Sequence, residues 1–129
     1  MTEVIVLTTS DKRPLIGISP TRYVRNMDLP GPSLLGMSVS DDYVHGVESA
    51  GGIPISIPFY QDMSTVRRLA ENLDGLLLSG GEDINPLLYG EQPHVGLGAI
   101  VPERDAIEKE LSASMMEQGR PIFAICRGF

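Results

Sequence analysis

Short apolar runs alternate along the chain with stretches whose apolar residues recur every three or four positions. The run Leu15–Ser19, closed by Pro20, predicts a first strand. Val39, Tyr43, Val47 and Ala50 then recur at spacings of four, four and three, which marks one face of a helix. Ser40, Asp41 and Asp42 supply its cap and dipole-matched charge, and Gly51-Gly52 stops it. Ile53–Pro58 predicts a second strand, whose internal prolines favour a place toward the sheet edge. A second helix follows, capped by Ser64 and burying Val66, Leu69, Ala70 and Leu73. Gly75–Ser79 is continuously apolar, as in a strand buried on both faces. A third helix spans about 105–118, with Ile107, Leu111 and Met115 inward, Asp105 and Glu108 as a capping box, and Gly119 as its end. Pro121–Ile125 predicts the last strand.

The order β-α-β-α-β-α-β predicts an α/β fold, a doubly wound and mostly parallel sheet of flavodoxin-like type with right-handed crossovers. The polar, Pro/Gly-rich segment 21–36 and the segment Gly80–Val101 read as loops. Val4–Thr8 is β-branched and reads as an edge strand or a loose leader. Parallel sheets bind ligands at the carboxyl ends of their strands. Ser19-Pro20-Thr21, Ser79–Asp83 and Cys126-Arg127-Gly128 all leave strands at that edge and should converge on one rim.

A length of 129 residues suits one domain. The net charge of −7, with no basic run longer than Arg67-Arg68, argues against nucleic-acid binding. Apolar stretches such as Ile122–Cys126 are too short to span a membrane, so no membrane partner is expected. Met1-Thr2-Glu3-Val4 lacks the start of a signal peptide, and the single cysteine forms no internal disulfide, which fits a cytoplasmic protein.

That cysteine, Cys126, follows an apolar strand and lies between the small residues Ala124 and Gly128. The pattern is the thiol version of a nucleophile elbow, in which a sharp turn lifts the side chain above the sheet. A backbone N–H just after it, at Arg127, stands where an oxyanion donor is expected. The bland alternative is a buried structural cysteine at a strand end. Gly80-Gly81 presents backbone N–H groups to an oxyanion or carboxylate, or is an ordinary tight turn; with no Gly-Lys-Ser/Thr following, it is not a phosphate loop. Arg104 either neutralises an acidic substrate or pairs with Glu108 one turn on, and Asp105 reads as a helix cap rather than a catalytic acid. His45 and His94 lack neighbours at metal-ligand spacing, so no metal is expected and surface roles are favoured. Met115-Met116 reads as core filling.

IGISP (Ile16–Pro20), AGGIPISIP (Ala50–Pro58), DGLLLSGGEDINPLLYGE (Asp74–Glu91), ERDAIEKEL (Glu103–Leu111) and PIFAICRG (Pro121–Gly128) together resemble the class I glutamine amidotransferase-like superfamily, and within it the γ-glutamyl-γ-aminobutyrate hydrolase family. The likeness runs from about Arg13 to Phe129, leaving Met1–Lys12 outside. It implies a cofactor-free cytoplasmic hydrolase acting on a small γ-glutamyl amide. Cys126 would be the acyl-accepting nucleophile, and the N–H groups of Gly81 and Arg127 the oxyanion hole. Gly80, Gly81, Asp83 and Asn85 would line the γ-glutamyl pocket, with Arg104 beside them.

The family's triad adds a histidine and a glutamate from a C-terminal half, and neither His45 nor His94 matches them. The expectation is therefore an N-terminal half of a family member, without efficient turnover alone. Its bare apolar edge Ile122–Ile125 would need the other half, or a homo-oligomer, for stability. A glutaminase subunit supplying ammonia, a non-catalytic binding module and an FMN carrier are the competing readings. The last is disfavoured by the absence of Trp and the presence of only 4 Tyr. A cysteine protein aided by a carboxylate at the end of the first strand is weakened because Leu15–Thr21 holds none.

Overall fold

The computed structural model describes residues 12–25 and 33–129. In chain order the elements are β1 (Leu15–Ile18), β2 (Thr21–Arg25), β3 (Leu34–Ser38), α1 (Asp41–Ser49), β4 (Ile53–Ser56), α2 (Met63–Ala70), β5 (Gly75–Leu78), α3 (Pro102–Glu117) and β6 (Ile122–Ala124). Strands β4, β1, β5 and β6 form, in that order, a sheet whose neighbouring strands are all parallel. The alternation of strand and helix thus gives the α/β fold expected of it.

Side-chain period decides which face each strand residue serves. Leu76 and Leu78 point to the side of α2 and α3, where they join Ile57, Val66, Ala70, Leu73, Ile107, Leu111 and Met115 in the larger core. Ile18 and Leu77 point to the other side and pack with Val47 of α1. All of β5 is buried, and β4, with Pro54 in its middle, lies at the sheet edge. On the α1 side the far end of the sheet is less covered. A trough of about 670 Å³ opens there among Tyr43, Val47, Leu77, Phe123 and Ile125, and Phe123 is 66% exposed.

Ser40 caps α1, its hydroxyl accepting from Asp42 N–H, and Gly51 takes φ +89° just beyond the helix. Three local readings differ from the structure. Residues 21–25 and 34–38 form an antiparallel hairpin rather than loop, registered from Thr21↔Ser38 to Arg25↔Leu34. Tyr23, Val24, Leu34 and Leu35 remain about half exposed or more. The hairpin therefore shows no buried-versus-polar alternation to read, and its order comes from its own ladder of hydrogen bonds. The cap of α2 is Asp62, whose carboxylate accepts from Ser64 N–H at 2.8 Å. Hydrogen bonds from the Ser64 side chain and backbone hold that carboxyl below its ordinary pKa. Finally, α3 begins at Pro102, ahead of Asp105, because proline's fixed φ suits the first helical position and its missing N–H costs nothing there. Val101 precedes it with no side-chain cap, so Asp105 and Glu108 are not a capping box. The Val4–Thr8 run lies outside the described residues.

Candidate functional site

The ends of β1, β5 and β6 meet on one rim. Ser79 N–H donates to Ser19 Oγ at 3.0 Å and Ser79 Oγ donates to the Ser19 carbonyl at 2.6 Å, which joins the first two ends. Ile125 N–H donates to the Leu78 carbonyl at 3.0 Å and carries the last strand alongside. Gly80 stands so close to Cys126 that a Cβ built on it would lie 3.6 Å from the Cys126 Cβ.

Cys126 opens a single 3-10 turn that ends at Gly128, and its side chain is exposed. Its φ is +53°, the left-handed region that side chains seldom enter, and no other non-glycine among the described residues does so. Backbone strain of this kind costs on the order of 1–3 kcal/mol and persists only where the surroundings enforce it. Gly128 is one source of enforcement, since a methyl there would sit 2.5 Å from both the Cβ and the carbonyl oxygen of Leu78. Among the described residues, neither Gly81 N–H nor Arg127 N–H meets a backbone or side-chain acceptor.

Beneath the rim lies a charged network of two arginines and three carboxylates. Arg104 is wholly buried. Its Nε donates to Glu108 at 2.8 Å, its Nη1 to Glu82 at 2.7 Å, and its Nη2 to the Ser79 and Gly80 carbonyls at 2.6 and 3.1 Å. Arg127, with a side chain only 3% exposed, donates Nη2 to Asp105 at 2.7 Å and to Glu108 at 2.9 Å. Its Nη1 reaches the Glu82 carbonyl at 3.0 Å, while its buried Nε has no partner. The three carboxylates therefore hang the diglycine loop and the cysteine turn from the first turns of α3. Glu82 also accepts from the Arg22 backbone N–H at 3.2 Å, which ties in the hairpin.

The alternatives left open for several residues now resolve. Arg104 pairs with Glu108 and is shut away from solvent, so it is not placed to meet a substrate directly. Asp105 is no cap; its second oxygen accepts from Asn85 N–H at 3.2 Å. Asp83 is exposed, and its carboxylate accepts from Gly98 N–H at 2.7 Å. With the Asp83–Ile100 bridge, that bond closes the long loop on itself. The Asn85 side chain accepts from Leu87 N–H and caps a 3-10 turn at Pro86–Tyr89. His45 is an exposed residue of α1, and His94 Nδ1 accepts from Gly96 N–H. Among the described residues no group of three or more His, Cys, Asp or Glu is placed to hold a metal ion, and no helix is long and apolar enough to cross a membrane.

Of this network the sequence offers only the Arg104–Glu108 pair, as one of two readings for Arg104; the parts played by Glu82, Asp105 and Arg127 are not read from it. The spacing of Arg104 and Glu108 was a usable signal; the convergence of Glu82 and Arg127 on the same point was not.

The network also predicts a pH effect. Burial pushes the Glu82 carboxyl up, but hydrogen bonds from its own backbone, from Arg104 and from Arg22, together with the Arg104 charge, outweigh it and hold the group below its ordinary value. Its contribution to stability is thus complete above a glutamate's usual pKa of about 4.3. It is lost as pH falls through the lower folded value. Unfolding free energy followed from about pH 6 to about pH 3 should fall less steeply in Glu82→Gln than in the parent. Parallel curves would show that the ionised carboxylate adds nothing.

The peptidase C26 family profile matches residues 14–129. Protein NtpR of Enterococcus hirae is 36% identical over 118 residues, covering 89% of this chain and 47% of that protein. A putative glutamine amidotransferase of Mycobacterium tuberculosis is 32% identical over 122 residues, 90% of this chain and 37% of that protein. The γ-glutamyl-γ-aminobutyrate hydrolase PuuD of Escherichia coli is 33% identical over 96 residues, 70% of this chain and 36% of that protein. The chain thus spans less than half the length of each of these relatives. With a profile match across nearly all of the described sequence and a parallel α/β sheet to carry it, the chain belongs to the peptidase C26 family, among the class I glutamine amidotransferase-like proteins.

Proposed function

We propose that the protein carrying this segment hydrolyses the side-chain amide of γ-glutamyl compounds, with Cys126 as the nucleophile. One observation carries the reading: an exposed cysteine held at φ +53° on a strand end, packed beside a diglycine, with backbone N–H groups left without acceptors on both sides. The thiolate attacks the amide carbonyl and a carbon–sulfur bond forms. The N–H groups of Gly81 and Arg127 receive the resulting oxyanion. The carbon–nitrogen bond then breaks as the departing amine takes up a proton. Water attacks the thioester, releasing the glutamate carboxylate and restoring the thiol. Gly80, Asp83 and Asn85 shape the loop that borders the acyl group.

The proton-transfer histidine and its glutamate partner that the family likeness implies have no counterpart in His45 or His94, so turnover is assigned to the whole protein. No cofactor or metal enters these steps. The reading also makes the substrate a small molecule and places the reaction in the cytoplasm.

Hydrolysis of a γ-glutamyl anilide by the whole protein should fall by roughly 10⁴-fold or more in Cys126→Ala, the loss seen when a triad member is removed. Turnover undiminished in that variant would defeat the proposal. A second reading, a glutaminase feeding ammonia to a synthase, draws on the relative named as a putative glutamine amidotransferase. It predicts that free glutamine is cleaved in preference to γ-glutamyl amines.

A further inference from the structure

Of the two roles open to Arg104 in the sequence, the structure shows the pairing with Glu108: the side chain is wholly buried and every donor nitrogen of its guanidinium is engaged. Its contacts on the diglycine loop are two successive carbonyls, Ser79 at 2.6 Å and Gly80 at 3.1 Å, both held by Nη2. Peptide planarity gives this arrangement a consequence. In a trans peptide the carbonyl and the following N–H point in opposite directions, and the described residues contain no cis bond. Fixing the Ser79 carbonyl under the rim therefore turns Gly80 N–H away from Arg104. That N–H donates to the Tyr43 hydroxyl at 3.2 Å, so this first peptide is held at both ends, from α3 and from α1. Fixing the Gly80 carbonyl turns Gly81 N–H away in the same manner, and this one finds no acceptor among the described residues. The guanidinium also lies against the Cα of Gly81, whose φ is +148°, and any Cβ there would collide with Arg104 Nη1.

We propose that Arg104, together with Tyr43, is a positioning device that orients the Gly80–Gly81 peptide so that Gly81 N–H faces the oxyanion formed at Cys126. The inference rests on the proposed thiol mechanism and adds to it the residues that aim one of its two donors. Arg104 acts from below and touches no reacting atom. Its charge is neutralised locally by Glu82 and Glu108, so its effect is one of direction rather than of field.

The test separates nucleophile from donor. Alkylation of Cys126 by iodoacetamide needs only the thiol, because no oxyanion forms in that displacement. Amide hydrolysis by the whole protein needs the donor as well. Arg104→Lys keeps the charge but replaces three separate donor nitrogens by one ammonium, which cannot hold Glu108, Glu82 and the two carbonyls at once. Its kcat for a γ-glutamyl anilide should fall by about 10²-fold, the scale of one lost or misplaced oxyanion donor. KM and the alkylation rate should stay near the parent's. Tyr43→Phe adds no buried charge and folds even where the lysine variant does not; it should lower kcat by about 10-fold, again with KM and alkylation unchanged. A folded Arg104→Lys protein with parental kcat would overturn the proposal, as would an unchanged kcat in Tyr43→Phe if the lysine variant fails to fold. A parent protein with no Cys126-dependent turnover would instead defeat the nucleophile reading, a distinct result.

Discussion

Arg104→Ala should destabilise the chain by about 3–5 kcal/mol, the usual cost of breaking a buried ion pair from one side. Truncation removes one of the two guanidinium partners of Glu108, whose side chain is only 9% exposed, takes the ion-pair partner from Glu82, and leaves the Ser79 and Gly80 carbonyls without their donor. It also empties the volume of a wholly buried guanidinium. Arg127 cannot take over, because its own fork already reaches Asp105, Glu108 and the Glu82 carbonyl. The contrast is Arg67→Ala, which breaks an ion pair with Glu110 on a side chain 60% exposed and should cost less than about 1 kcal/mol. Urea unfolding of the two variants measures the difference. Equal losses would mean that the network under the rim is as well solvated as the surface.

Gly128→Ala should damage the site severely for the single carbon it adds. The new methyl would meet the Leu78 Cβ and carbonyl oxygen at 2.5 Å, and neither can swing aside, since Leu78 is paired in the middle of the sheet. Overpacking of this kind costs about 1–3 kcal/mol, occasionally more. Here relief requires moving the turn that carries Cys126. Turnover by the whole protein should fall by about 10²-fold or more, because a displacement near 1 Å already costs that much. Gly46→Ala is the control: nothing lies within 4 Å of a Cβ there, and the residue sits in α1. Alanine favours the helix by up to about 1 kcal/mol, so that variant should be as stable as the parent or more so, and fully active. A Gly128→Ala protein indistinguishable from it would show that the turn has slack.

Much of this was legible in the chain because local chemistry and global fold agree. Gly75–Ser79 reads as a strand buried on both faces, Pro54 marks an edge strand, and Ser40 announces α1; the structure contains a fully buried strand at Gly75–Leu78, an edge strand at Ile53–Ser56 and a helix capped by Ser40. The rim was legible too, since strand-end loops of a parallel sheet must share one edge. The hairpin was not, because Tyr23, Val24, Leu34 and Leu35 face outward and give no inside–outside alternation. The start of α3 was misjudged for a different reason. Asp105 and Glu108 look like capping residues in sequence, but their carboxylates are claimed by Arg127 and Arg104. A distance of 22 residues separates Arg127 from Asp105, and no local pattern reports a partner so far away.

Both loops that border the cysteine are suspended from adjoining turns of a single helix, Glu82 through Arg104 and Arg127 through Asp105 and Glu108. They behave as one rigid bracket rather than two independent fingers. Damage to either suspension is therefore felt at both amides, and substitutions in the two loops should combine to less than the product of their separate effects. A sideways displacement of that helix by a fraction of an ångström would detune the whole rim at once.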